Sequence, residues 1–131
     1  SGYRPAGQGN EIQLEDKTNY ASPSPVTDGR RVIFFYGNGD LVALDFAGKK
    51  LWARNVQQEY GDFAFSFTFS SSPLLYEGRL YMQVLQRNRP IGARGRDGAE
   101  SYLLALDPAT GKEQWRVVRP APGVAESLEA Y

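Results

Sequence analysis

The 131-residue chain contains no cysteine and no histidine. Without Cys there is no disulfide, no zinc–thiolate site and no thiol nucleophile. Without His the commonest general base near neutral pH and the commonest metal ligand are both missing. Any hydrolytic or metal chemistry would have to rest on carboxylates, hydroxyls, Lys or Arg. Charge of one sign is also lacking: 15 Lys and Arg balance 15 Asp and Glu. No global field therefore draws the chain to nucleic acid or to an anionic membrane. No unbroken apolar run is long enough to span a bilayer. What the chain does have is 41% hydrophobic and 13% aromatic residues, a composition of packed folds rather than of disordered segments.

Residues 1–21 read as a loose Gly- and Pro-containing leader, with one short strand predicted over the alternating residues 11–14. Regular patterning starts at residue 22. A short Ser24–Thr27 piece contains Pro25, which suits an inner or edge strand because Pro lacks a ladder donor. Asp28-Gly29 signals a hairpin turn. Arg31–Tyr36 is a dense β-branched and aromatic strand, and Gly37–Asp40 a turn with glycines for positive φ. Leu41–Asp45 alternates, Phe46–Lys49 turns again, and Lys50–Val56 forms a fourth strand carrying Trp52. The same order then recurs: Ser72–Leu75, Glu77-Gly78, Arg79–Gln86, Tyr102–Asp107 and Glu113–Val118, with Trp115 in the place of Trp52. The expected organisation is a first repeat at 22–56, an aromatic strand or connection at 57–71, a second repeat at 72–118 with an insertion at 87–100, and a connection at 119–131. Helix signals are thin, one or two turns at most over Gly123–Ala130.

Four strands and three turns, repeated once, are the unit of a propeller blade. The second repeat closes with Ala105-Leu106-Asp107-Pro108-Ala109-Thr110-Gly111-Lys112-Glu113-Gln114-Trp115. That run resembles the tryptophan-docking signature of the PQQ-like (quinoprotein-like) β-propellers. The first repeat looks like a degraded copy, with Ala43, Asp45, Gly48, Lys49 and Trp52 present, the Thr missing and the turn one residue shorter. Asp107-Pro108 suits a tight turn, Gly111 its left-handed exit, and Asp107 and Thr110 can bond the turn backbone. The small Ala43 and Ala105 leave room beside a large ring. Trp52 and Trp115 are read as packing groups between blades, because residues at repeat-equivalent positions serve the repeat. The expected fold class is all-β: four-stranded antiparallel blades, an incomplete part of a propeller with about seven or eight of them. Two blades leave an apolar face at each end, so the expected partners are the remaining blades of a longer polypeptide or copies of the chain itself, and possibly another protein.

Two other features carry functional readings. Phe63, Phe65, Phe67 and Phe69 alternate with small residues, which predicts a strand with one aromatic face. Packing between blades is the preferred reading, and an exposed platform for a partner chain or glycan the sharper one. The insertion carries Arg94 and Arg96 among glycines, either a solvated mobile loop or a basic grip on an acidic partner. Asp40, Asp45, Asp62 and Asp107 form no Asp-x-Asp-x-Asp calcium loop, and no catalytic, cofactor or metal residue is nominated. The resemblance implies two functions, and the aromatic strand's composition suggests a third. The first is a non-catalytic scaffold or protein-interaction module, like the outer-membrane assembly lipoproteins. The second is part of a PQQ- and calcium-dependent alcohol or sugar dehydrogenase, whose ligating acids, catalytic Asp and vicinal Cys pair are not identifiable here. The third is a glycan-binding propeller. It also implies a periplasmic or extracellular bacterial location.

Overall fold

Residues 21–65 and 69–119 are described by the computed structural model. The short strand expected over 11–14, the helical turn expected over 123–130 and Phe67 lie outside them. Eight strands build two antiparallel sheets, each in simple chain order. The first holds β1 (Val26–Thr27), β2 (Arg31–Phe35), β3 (Asp40–Asp45) and β4 (Lys50–Asn55). The second holds β5 (Leu74–Tyr76), β6 (Arg79–Val84), β7 (Ser101–Leu106) and β8 (Glu113–Arg119). This is the fold expected from the repeat, two four-stranded blades of a propeller.

Turn chemistry sets the hairpins. At the β1–β2 turn the Asp28 carboxylate accepts the N–H groups of Arg30 and Arg31, both at 3.0 Å. The β5–β6 turn is two residues, Glu77 and Gly78, both at positive φ, the geometry whose twist matches paired strands. At the β3–β4 turn Asp45 accepts from Ala47 and Lys49, and at the β7–β8 turn Asp107 accepts from Ala109.

Pairing registers put Val26, Ile33, Ala43 and Trp52 in one cross-strand row of the first sheet. Leu74, Tyr81, Ala105 and Trp115 form the matching row of the second. Both sheets carry a bulge at the same place, after Ala43 and after Ala105. The sheets nevertheless meet through opposite faces. The first offers the face with Ile33, Phe35, Leu41 and Ala43, and the second the face with Leu80, Met82, Val84 and Leu104; all are buried in one core. The face of the first sheet that carries its Trp is covered, and the equivalent face of the second is not.

Two elements differ from the sequence reading. The fourth strand stops at Asn55, and Val56–Tyr60 forms a short helix, α1. Asn55 is its N-cap and accepts from Gln58 N at 2.9 Å. The aromatic run is not a strand in its described part. Its backbone is held by side chains instead: Phe63 N–H donates to Gln57 Oε1 at 2.7 Å and Ala64 N–H to Gln86 Oε1 at 3.0 Å. With the donors of Phe63 and Ala64 bound to amides, this part of the run needs no neighbouring strand there. Phe63, Phe65 and Phe69 are buried and pack on one another with ring centroids 5.2–5.4 Å apart, and Phe69 also meets Phe35 at 5.0 Å. The exposed-platform reading therefore fails for these three rings.

Candidate functional site

The seam between the sheets is where side chains from distant parts of the chain converge. Trp52, on β4, reaches across to the β7–β8 turn. Its Nε1–H donates to the Pro108 carbonyl at 2.9 Å. The six-membered part of the indole lies on Gly111, so closely that a Cβ there would come within 2.6 Å of Cε3. Gly111 sits at φ +73°, so this position needs glycine both for its backbone and for the ring above it. Arg54, one turn of the pleat further on, donates to the Gly111 carbonyl at 2.5 Å. Ala43 and Ala105 lie directly across from Trp52 and Trp115 of their own sheets. Thr110 Oγ1 accepts from Lys112 N at 3.3 Å.

Trp115 has a different environment. It is 37% exposed, and its ring contact is Tyr81 on the same sheet, at 5.9 Å between centroids. Around it Leu103 and Val117 are also exposed. An open groove of about 320 Å³ runs over this sheet beside Gln83, Leu85, Leu103 and Val117.

Next to the Trp52 contact a belt of polar and aromatic groups ties α1 to β8. Arg54 pairs with Glu59 and donates to the Tyr60 hydroxyl at 3.0 Å. Tyr60 in turn donates to Glu113. The Arg116 guanidinium lies 5.2 Å from the Tyr60 ring centre and 5.6 Å from that of Tyr102, distances typical of cation–π attraction. Burial, and then the hydrogen bond to Glu113, push the Tyr60 hydroxyl up to about 12. Burial chiefly raises the Tyr102 hydroxyl as well. These are groups kept neutral to fill a seam, not groups tuned to exchange protons near neutral pH.

A third cluster lies where the β2–β3 turn, α1 and the insertion meet. The buried Asp40 carboxylate accepts from Asn38 Nδ2 at 2.9 Å and Asn55 Nδ2 at 2.7 Å. Gln57 Nε2 donates to the Asn38 carbonyl at 2.7 Å. Gln86, also buried, donates to the Glu100 carbonyl at 2.9 Å. The insertion folds back on residues 61–65: Arg87 N–H donates to the Ala64 carbonyl at 3.0 Å, and Gly95 lies against the Ala64 methyl. Arg94 is half-buried and Arg96 exposed with its guanidinium beside Gly61. Neither guanidinium has an ion pair or hydrogen bond among the described residues.

Of the Asp residues considered for calcium, Asp45 and Asp107 brace their own turns and Asp40 is held by two amides. Among the described residues no three Asp, Glu, His or Cys side chains come together as a metal group. No described helix is long and apolar enough to cross a membrane. Sequence reasoning missed α1 and the bracing amides Asn55, Gln57 and Gln86. Asn55 with Gln58 three residues on is a helix-start signal that was there to be read. Gln86 gave none, because its partner is 22 residues away.

Comparison with known proteins gives a consistent result. The family described as outer membrane protein assembly factor BamB, a family of PQQ-like repeats, matches residues 13–130. Quinohemoprotein alcohol dehydrogenase from Comamonas testosteroni is 32% identical over 81 residues, 60% of this chain and 10% of that protein. Its solved structure matches with a TM-score of 0.52 at 20% identity, over 80% of this chain and 16% of that one. A europium-containing methanol dehydrogenase matches with a TM-score of 0.55 at 19% identity, over 76% of this chain and 15% of that one. At these identities the solved structures speak for the fold. The chain spans about a tenth of the length of the curated relative it matches.

Proposed function

Because this chain belongs to the PQQ-like repeat family described as outer membrane protein assembly factor BamB, we propose that it is a two-blade part of a propeller that works as a non-catalytic scaffold. The observation that carries this reading is the use of its polar groups. The buried acid Asp40 and the amides Asn55, Gln57 and Gln86 bind backbone or one another, and the seam residues Trp52, Arg54 and Tyr60 join one blade to the next. In this reading Ala43, Asp45, Gly48, Trp52, Ala105, Asp107, Thr110, Gly111 and Trp115 form a docking motif that joins blades. The partners are further blades and another protein, met at the rim where Arg94 and Arg96 have no ion pair among the described residues. The location is extracytoplasmic, on the family likeness.

The matched dehydrogenase supports a second reading, part of a quinoprotein alcohol dehydrogenase. PQQ and calcium need carboxylates converging on one point with free oxygens. The described residues do not fit that need: Asp40 has both oxygens bonded to amides, Asp45 and Asp107 each turn one oxygen to their own hairpins, and no three acids among the described residues converge. Titration of the full-length protein with PQQ and calcium, followed by ultraviolet–visible absorption, separates the two. The scaffold reading expects no stoichiometric uptake; a saturable quinone spectrum overturns it.

A further inference from the structure

We propose that Asn38 is a deamidation site held silent by the fold, with α1 as its lock. The proposal stands on the fold and does not depend on the scaffold reading. Asn38-Gly39 is the one Asn-Gly pair in the chain. Asn is a thermolabile residue, and a following glycine has no side chain to shield its backbone nitrogen. In an open chain that nitrogen attacks Cγ of the asparagine. A C–N bond forms, Nδ2 leaves as ammonia, and water opens the succinimide to aspartate or isoaspartate. No oxidant, reductant or enzyme is needed.

The β2–β3 turn calls for this pair. Tyr36 N–H donates to the Asp40 carbonyl at 2.8 Å, and Gly39 N–H to the Tyr36 carbonyl at 2.9 Å. The loop they close ends on Gly39 at φ +89°, a position for glycine. A Cβ there would also come within 3.0 Å of Gln57 Cγ. Asn38 braces the loop with its own side chain. Its Oδ1 accepts from Asp40 N at 3.2 Å, and its Nδ2 donates to the Asp40 carboxylate at 2.9 Å.

The same contacts disarm the reaction. The attacking nitrogen has its hydrogen on the Tyr36 carbonyl, and both ends of the amide it would attack are bound to Asp40. The peptide between them is clamped from α1: Gln57 Nε2 donates to the Asn38 carbonyl at 2.7 Å, and Val56 N–H to the Gly39 carbonyl at 2.8 Å. Gly39 and Asp40 are buried. Ring closure needs the Asn38 side chain to leave Asp40 and the peptide plane to turn, so it waits for α1 to lift. The step is also one-way. Aspartate at this position has no Nδ2 donor and sets a second carboxylate against buried Asp40, so a chain that reacts while open folds back less stably.

The test is incubation of the full-length protein in mildly alkaline buffer, folded and in guanidinium chloride. Trypsin then releases residues 32–49, in which Asn38 is the only amide side chain, and peptide mass reads its conversion. Conversion is expected to be at least about tenfold slower in the folded protein. Gln57→Ala removes one clamp and is expected to speed conversion severalfold in the folded protein while leaving the denatured rate unchanged. Asn38→Asp is expected to lower the denaturant midpoint. Should Gln57→Ala fail to fold by circular dichroism, the folded and denatured wild type decide. Equal rates in those two states, a folded Gln57→Ala protein no faster than wild type, or an Asn38→Asp protein as stable as wild type overturns the proposal.

Discussion

Gly111 and Gly48 hold similar backbone conformations, φ +73° and +84°, yet their neighbourhoods differ. A methyl on Gly111 would sit 2.6 Å from the Trp52 ring, and one on Gly48 would meet nothing. Gly111→Ala therefore adds overpacking to the backbone penalty and is expected to cost about 2–4 kcal/mol. Gly48→Ala bears the backbone penalty alone, about 1 kcal/mol. Urea midpoints of the dilute chain compare the two directly. The tryptophans should divide in the same way. Trp52→Ala loses a half-buried ring and the bond to Pro108, about 2–3 kcal/mol. Trp115→Ala, with a ring open to water and one aromatic neighbour, is expected to cost less than about 1 kcal/mol.

Among the elements, α1 is short and depends on its contacts. Asn55 both caps it, through Gln58 N, and donates to the buried Asp40 carboxylate at 2.7 Å. Asn55→Ala is expected to cost about 2–3 kcal/mol, since it removes the cap and leaves a buried charge with one donor fewer. Asn55→Asp keeps the cap but sets two carboxylates together, so at neutral pH it is expected to cost at least as much as Asn55→Ala, read from the same urea midpoints. At the other end of α1, Tyr60 carries an alkaline transition. Its hydroxyl titrates near 10.0 when free and about 12 in the fold, so between those values the unfolded chain holds fewer protons than the folded one. Stability from this group is whole below pH 10 and falls as pH rises through 12. Unfolding in that window, followed by tyrosinate absorbance and circular dichroism together, checks it. Tyr60→Phe should shrink the pH dependence, leaving the part due to Tyr102.

For the whole molecule the decisive fact is that the two sheets share one core. Ile33 of the first and Leu104 of the second belong to the same buried cluster. Ile33→Ala and Leu104→Ala are each expected to cost about 2–5 kcal/mol. Each should lower a single transition, with Trp fluorescence and far-ultraviolet circular dichroism coinciding. Two separate transitions, with each substitution moving only one, would mean that the sheets fold independently.

Strands, turns and the doubling of the unit were legible in the sequence because their causes are local. Alternation over five or six residues selects a sheet face, and Asp and Gly at the turns set the hairpins within a few positions. The run from Phe63 to Phe69 shows where local reading stops. Its alternation is that of a strand, but amides from Gln57 and Gln86 take the backbone donors of Phe63 and Ala64, and no period in the run itself reports a partner as far along the chain as Gln86. The sequence likewise marked Trp52 and Trp115 as equivalents and could not tell them apart. Only the tertiary structure separates them, because a ring is covered by whatever the neighbouring sheet presents. Here the β7–β8 turn covers the first indole, while the second keeps an open face.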